Sequence, residues 1–285
     1  MSTCLEILST GVGCSIQDSG RPGWRRFGVP PGGVLDQYSM RVANALLGNR
    51  PSAPVMELLM QGQKLRVLED TWIAVAGADL GGRIAPWSAE CVPEGSVLTF
   101  PSRRSGLWAY LAVPGGFQVD QWFGSASTDL RNGLGVPLKK GSLLESGKRL
   151  HPDAFERIGR REYVFAKQRA FEMERSFKIL PGPQFEAFDP TTRAQLVGAK
   201  WTVSSQSDRT GFRLQGPLLK IPPSIPSEPV LPGSFQITGS GQPIVTMADG
   251  PTVGGYAKLA VLPERDLDWL AQCPPGAQLS FQWVA

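Results

Sequence analysis

Residues 4–9 alternate apolar and polar side chains, with Leu5 and Ile7 set against Glu6, and this period of two predicts an opening strand. A glycine- and proline-rich stretch runs from residue 11 to 33. The period then changes: Val42/Leu46 and Ala43/Leu47 are apolar pairs four residues apart, Asp36 is placed as an N-cap, and Gly48-Asn49 supplies the stop, so a helix is predicted between them. From Val55 to Val119 the pattern is strand-like, at 64–68, 72–77, 96–100 and 107–113, separated by Gly or Pro turns. Residues 151–176 are charged and poor in glycine and are read as a connection, partly helical or extended. A second strand-rich unit opens at 177–180 and closes at 279–284. It is interrupted by a helix with Asp189 as N-cap, Pro190 at its first position and Gly198 as stop, and by another over 263–272 ended by Pro274-Pro275. The expected organisation is therefore mainly β with a few short helices: an N-terminal unit 1–150, a linker 151–176 and a C-terminal unit 177–285, suggesting two related barrels. A short echo, Asp18 to Gly23 against Asp208 to Gly211, agrees with an internal relationship but is brief enough to arise by chance.

Composition sharpens this picture. Among 285 residues, Gly (33) and Pro (25) make up about a fifth, against a usual share of roughly 12%, which disfavours a helical bundle. At 41% hydrophobic and 19% charged, the chain is of ordinary globular composition. The net charge of +4 is dispersed in doublets such as Arg25-Arg26, Arg103-Arg104, Lys139-Lys140 and Arg160-Arg161, so no nucleic-acid-binding stripe is expected. No apolar run approaches the roughly 18 residues of a membrane span, and the first residues lack the basic and apolar regions of a secretory signal. Cys4, Cys14, Cys91 and Cys273 have no paired spacing, so free thiols in a reducing cytoplasm are expected and zinc ligation is not.

Several chemistries fall away. The one histidine, His151, is flanked by proline in the expected linker, a poor position for a general base. The segment 141–149 has five residues between Gly141 and Gly147 where a phosphate-binding P-loop has four, and Arg149 stands where a magnesium-binding hydroxyl is needed. Gly11 and Gly13 are followed by Ile16, so the dinucleotide fingerprint also fails. Carboxylate, arginine and glycine chemistry remains. Gln17, Asp18 and Arg21 lie close together beside flexible turns, as do Ser207, Asp208 and Arg209. Arginine suits a planar anion because its fork reaches two oxygens, and a neighbouring acid can orient it or move protons. The alternative is an Asp–Arg pair that pins two turns. The run from Asp249 through Thr252 to Gly254, Gly255 and Tyr256 offers backbone amides that a ligand could approach, with Asp249 as a base or magnesium ligand. Its alternative is a tight turn in which glycine supplies positive φ.

Read together and in order, these motifs resemble a known family. Gln17 to Gly23, Gly28 to Gly32, Asp36, Ala43-Asn44, Gly48-Asn49 and Glu57 are similar to the start of the family called the 5-oxoprolinase C subunit, KipA, allophanate hydrolase subunit 2 or biotin-dependent carboxyltransferase. The likeness continues through Ala76 to Asp79, Tyr110 to Val113, Gly115-Gly116 and Gly124 to Thr128. It resumes at Leu180 to Gln184, Trp201 to Ser204, Ser207 to Gly211, Arg213 to Pro217, Ser227-Glu228, Pro232-Gly233, Gly241 to Ile244, Gly254 to Tyr256 and Leu270 to Gln272.

The resemblance implies two cyclophilin-like β-barrels in a pseudo-symmetric pair with a substrate cleft. It implies two partners, the KipI-like B component and the LamB/YcsF-like A component of 5-oxoprolinase, with ATP-dependent opening of 5-oxo-L-proline to L-glutamate in the assembled complex. ATP and magnesium are implied there, and nothing in this chain identifies their site. The runner-up is a biotin-dependent carboxyltransferase component acting on a urea-like amide; the third is a KipA-type regulator that antagonises a KipI-type kinase inhibitor. Under these readings Asp18, Asp208 and Asp249 are the candidate catalytic acids. Gln17, Arg21, Ser207, Arg209, Thr252, Gly254, Gly255 and Tyr256 are the candidate substrate contacts, with no metal site, and Trp24 and Phe27 are candidates for the partner face. The chain departs from the family at Ala126, where Arg is common, in a shortened segment after Gly135, and at Gly250-Pro251 and Val253, where Arg-Gln and Thr are common. It departs again at Ala257, where Pro is frequent. Two arginines are thereby missing from glycine loops.

Overall fold

In the computed structural model, residues 2–148, the backbone of 160–162, and 169–284 are described. The chain divides into two compact units, one made of Met1–Arg21 and Gly32–Phe171, the other of Pro22–Pro31 and Glu172–Ala285. The division thus falls at 171/172, and the short Pro- and Gly-rich segment 22–31 groups with the second unit. The expected linker carries a strand at 160–162; His151 lies outside the described residues.

The first unit contains β1 (Ser2–Thr10), β2 (Gly13–Gln17), β3 (Val55–Leu59), β4 (Gln63–Val67), β5 (Thr71–Asp79), β6 (Ser88–Val92), β7 (Val97–Phe100), β8 (Ser105–Ala112), β9 (Phe117–Gln118), β10 (Leu143–Ser146) and β11 (Arg160–Glu162). They form a five-stranded sheet in the order β7-β4-β1-β10-β9 and a six-stranded sheet in the order β11-β6-β5-β8-β3-β2. Leu5, Ile7 and Leu65 of the first sheet and Met56, Ile73 and Leu111 of the second bury one common core. The alternation at Leu5 and Ile7 is what turns these residues inward. β5 and β8 are buried almost throughout, so their sequence reads as a continuous apolar run. Helix α1 (Gln37–Leu46) starts where the sequence indicates: the Asp36 carboxylate accepts from Ser39 N at 3.0 Å and from Ser39 Oγ at 2.5 Å. Gly48 follows it with φ of 65°, a left-handed stop.

The second unit contains β12 (Glu174–Pro181), β13 (Trp201–Val203), β14 (Gly211–Gln215), β15 (Glu228–Pro229), β16 (Ser234–Ile237), β17 (Pro243–Thr246), β18 (Val253–Gly254), β19 (Lys258–Val261) and β20 (Gln278–Trp283). Seven of these close a barrel in the order β12-β19-β16-β17-β14-β13-β20, while β15 and β18 make a separate two-stranded ribbon. Phe281 fills the barrel with Phe235 edge-on at 5.0 Å and Phe177 stacked at 6.3 Å. Helix α2 (Pro190–Gly198) is capped by Asp189, whose carboxylate accepts from Thr192 N at 2.8 Å; that bond is the leading reason its pKa is lowered. Helix α3 (Glu264–Ala271) buries Leu270 and Ala271. Among the described residues the architecture is mostly β with three α-helices, as the patterning indicates. The second unit closes by hydrogen bonds, whereas the first keeps two sheets over one core.

None of the four cysteines forms a disulfide. Burial pushes the thiols of Cys4 and Cys273 up to about 12 and that of Cys14 up to about 11. These three should remain protonated at pH 8, and a thiol reagent is expected to reach the buried Cys4 and Cys273 only slowly in the folded protein. Mass mapping after brief alkylation checks this; equal labelling of Cys4 in the folded and the urea-unfolded protein would contradict it.

Candidate functional site

The first candidate cluster forms where β2 ends. The loop 125–128 runs beside that strand, with Thr128 N donating to Ile16 O at 3.0 Å and Gln17 Nε2 donating to Thr128 O at 2.9 Å. Asp18 is buried in this loop. Its Oδ1 accepts from Gly20 N at 2.8 Å, Ser125 Oγ at 2.5 Å and Ser127 Oγ at 2.6 Å, and its Oδ2 accepts from Ala126 N at 2.8 Å. Four donors converge because serines at alternate positions flank an amide that points the same way. Arg21 is 1% exposed; its guanidinium donates to Ser127 O and, at 3.4 Å, to Trp122 O. A Cβ on Gly32 would stand 2.7 Å from Arg21 Nη1, so glycine at 32 is what leaves room for the arginine. Arg21 and Asp18 both fasten the loop 122–127, and Ser127 links them. Ala126 helps line a cavity of about 360 Å³ together with Ile16, Trp122, Thr128, Leu138 and Leu144.

The second cluster lies in the other unit. Arg209 and Asp249 meet in a bidentate pair, Nε to Oδ2 at 2.7 Å and Nη2 to Oδ1 at 3.0 Å, and Asp249 N donates to Arg209 O at 3.0 Å. The pair joins the loop after β13 to the loop after β17. The sequence reading paired Arg209 with its neighbour Asp208, and the structure corrects this. Asp208 Oδ1 instead accepts from Thr210 N at 2.8 Å, from Thr210 Oγ1 and from Gly211 N at 3.2 Å, closing a tight turn. Ser207 supports the same turn, its Oγ accepting from Arg213 N at 3.0 Å. Both oxygens of Asp249 are engaged by Arg209, which leaves it ill-suited as a magnesium ligand.

Thr252 O accepts from Val230 N at 3.0 Å, Gly254 lies opposite Glu228 in the β15–β18 ribbon, and Tyr256 is half-exposed. Neither Gly254 nor Gly255 has positive φ, so the tight-turn alternative for these glycines does not hold. The close approach that Gly254 permits is to a neighbouring side chain: a Cβ there would stand 2.9 Å from Gln236 Oε1 and 3.2 Å from Val230 Cγ2. At Gly250 a Cβ would stand 2.3 Å from Thr246 Cγ2 and 2.8 Å from Thr210 O. Gly250→Arg is therefore expected to destabilise by about 1–3 kcal/mol through overpacking. Urea denaturation checks this; an unchanged midpoint would contradict the packing argument.

Sequence reasoning missed a third group. Lys258 opens the buried strand β19 and is 2% exposed. Its ammonium pairs with Glu228 Oε1, which also accepts from Gln184 Nε2 at 2.7 Å, and Gln184 Oε1 accepts from Lys258 N at 3.0 Å. Gln236 stands opposite Lys258 on β16 and donates to Thr246 Oγ1 at 2.9 Å. The bond from Lys258, then that from Gln184, holds the Glu228 carboxyl below its ordinary range. The available signal was a single charged residue inside the apolar run Lys258 to Val261.

The fold is shared with solved proteins. TTHA0988 superposes with a TM-score of 0.88 at 34% identity, over 98% of this chain and 56% of that one. The Kluyveromyces lactis urea carboxylase superposes with a TM-score of 0.88 at 28% identity, over 100% of this chain and 28% of that one. This chain thus spans little more than half of the first protein and about a quarter of the second. Its sequence belongs to the carboxyltransferase domain family, subdomains A and B, which matches residues 27–283. The 5-oxoprolinase C subunit of Escherichia coli is 36% identical over 97% of this chain and 90% of that protein.

Proposed function

We propose that this chain serves as the C-type component of an ATP-dependent 5-oxoprolinase complex, opening 5-oxo-L-proline to L-glutamate with homologues of the A and B components. The observation that carries this reading is sequence similarity: a 5-oxoprolinase C subunit is 36% identical over 97% of this chain. The Kluyveromyces lactis urea carboxylase is 28% identical. That similarity nonetheless favours a second reading, a carboxyltransferase component for a urea-like amide, in which biotin would be carried by another protein.

The described residues do not fit a nucleotide–magnesium site. Among the described residues no three His, Cys, Asp or Glu side chains gather to hold a metal ion. The segment that superficially resembles a P-loop contains strand β10, not a loop leading into a helix. Asp18 and Asp249 spend their carboxylates on internal donors. No helix among the described residues is long and apolar enough to cross a membrane.

Partner binding is expected to bury at least roughly 1,600 Å² in total, the size of a standard stable interface. Trp24 and Phe27, partly and largely exposed and 5.8 Å apart, are candidates for that face. Co-expression with homologues of the A and B components followed by size-exclusion chromatography should give one co-eluting complex. Separate elution at micromolar concentration would oppose the reading, and co-elution with a protein detected by avidin would favour the carboxyltransferase alternative.

A further inference from the structure

The Lys258–Glu228 pair leaves capacity unused. An ammonium has three donors and a carboxylate oxygen two lone pairs. Glu228 Oε1 takes one donor from Lys258 and one from Gln184 Nε2. Among the described residues no further hydrogen bond is made by Lys258 Nζ, and none reaches Glu228 Oε2. The pair is approachable from one side, because Glu228 is 37% exposed while Lys258 beneath it is 2% exposed. An open donor and an open acceptor therefore lie side by side, both charge-assisted, at a point of zero net charge.

A free anion there meets the Glu228 carboxylate, and a free cation meets the Lys258 ammonium. A neutral group with an acceptor and a donor on the same edge suits both. A cis-amide has that edge, its C=O and N–H lying on one side. Open-chain secondary amides are almost always trans and present the two on opposite sides, whereas a lactam ring or a urea presents them together. We infer that the Lys258–Glu228 pair recognises the uncharged cis-amide edge of a small molecule, a lactam or a urea. Lys258 Nζ donates to its carbonyl oxygen and the Glu228 carboxylate accepts its N–H. This deepens the reading above by naming the group recognised, and it holds equally for either of the two substrate classes. Lys258 also polarises the bound carbonyl, since the hydrogen bond strengthens as negative charge gathers on oxygen.

Ligand-observed NMR on the full chain tests this with three five-membered rings: 2-pyrrolidinone, N-methyl-2-pyrrolidinone and γ-butyrolactone. The last two lack the N–H. The expected result is that 2-pyrrolidinone binds at least about tenfold more tightly than either, since each lost charge-assisted bond is worth that much. Lys258→Met should remove that preference. The double variant Lys258→Met/Glu228→Leu, which leaves no unpaired charge, should do the same with its melting curve intact. Equal binding of all three rings, no binding of 2-pyrrolidinone, or a preference that survives in either variant would overturn the inference. Failure of the oxoprolinase reading would appear differently, as a complex without turnover whose isolated chain still prefers the N–H lactam.

Discussion

Asp18→Ala should lower the stability of the first unit by about 3–5 kcal/mol, comparable to removing one partner of a buried charged pair. The substitution strips the acceptor from Gly20 N, Ala126 N and the hydroxyls of Ser125 and Ser127 at once. Asp18 is buried, so water replaces the carboxylate only in part. At a few degrees per kcal/mol for a protein of this size, the melting midpoint should fall on the order of 10 °C. Asp18→Asn keeps the shape and one acceptor and should lose less. The alanine variant melting within a degree or two of wild type would mean that Asp18 does not hold the loop 122–127. A proton-transfer role would then regain ground.

The second large effect is expected at Arg209 and Asp249. Removing either partner leaves the other charge in a site where the side chains are 16% and 9% exposed, at a cost of about 3 kcal/mol or more. Removing both should cost less than the sum, and a double-mutant cycle should give a coupling of about 2 kcal/mol. Arg209→Lys separates two roles. A lysine offers a point charge and cannot reproduce the two parallel bonds to Asp249. A purely structural arginine predicts a lower melting temperature with turnover per folded complex intact; loss of turnover at unchanged melting temperature would assign it to the substrate. A coupling near zero would contradict the pairing itself.

Local features of the fold were legible in the sequence. Asp36 and Asp189 cap their helices through hydrogen bonds to residues three positions on, and such bonds depend on local spacing alone. The strand containing Leu5 and Ile7 is marked by alternation because only one of its faces is buried. β2 and β3 were harder: β3 is buried on both faces, so its pattern carries no period. The grouping of 22–31 with the second unit was also invisible, since segment assignment through space leaves no local trace.

The sites follow the same division. Sequence reasoning selected Asp18, Arg21, Arg209 and Asp249 by residue type and neighbouring glycines, and each proves to be held in a defined network. It could not select their partners, which lie far away: Ser125 and Ser127 are 107 and 109 positions from Asp18, and Asp249 is 40 from Arg209. Proximity along the chain therefore suggested Asp208 for Arg209, which the structure replaces with Asp249. Lys258 was passed over because its partner Glu228 is 30 residues away and a lysine at a strand start ordinarily faces water. Gln184 and Glu228 stood in motifs that carry the family resemblance, but nothing in their spacing indicated a shared bond.

The most direct test of the proposed function is turnover by a reconstituted mixture. Homologues of the A and B components would be assayed for L-glutamate formed from 5-oxo-L-proline and ATP, with and without this chain. Glutamate formation is predicted to require the chain and to be lost or sharply reduced when the Lys258→Met variant replaces it. Glutamate formed at the same rate without the chain, or none formed by a verified three-component complex, would contradict the proposal.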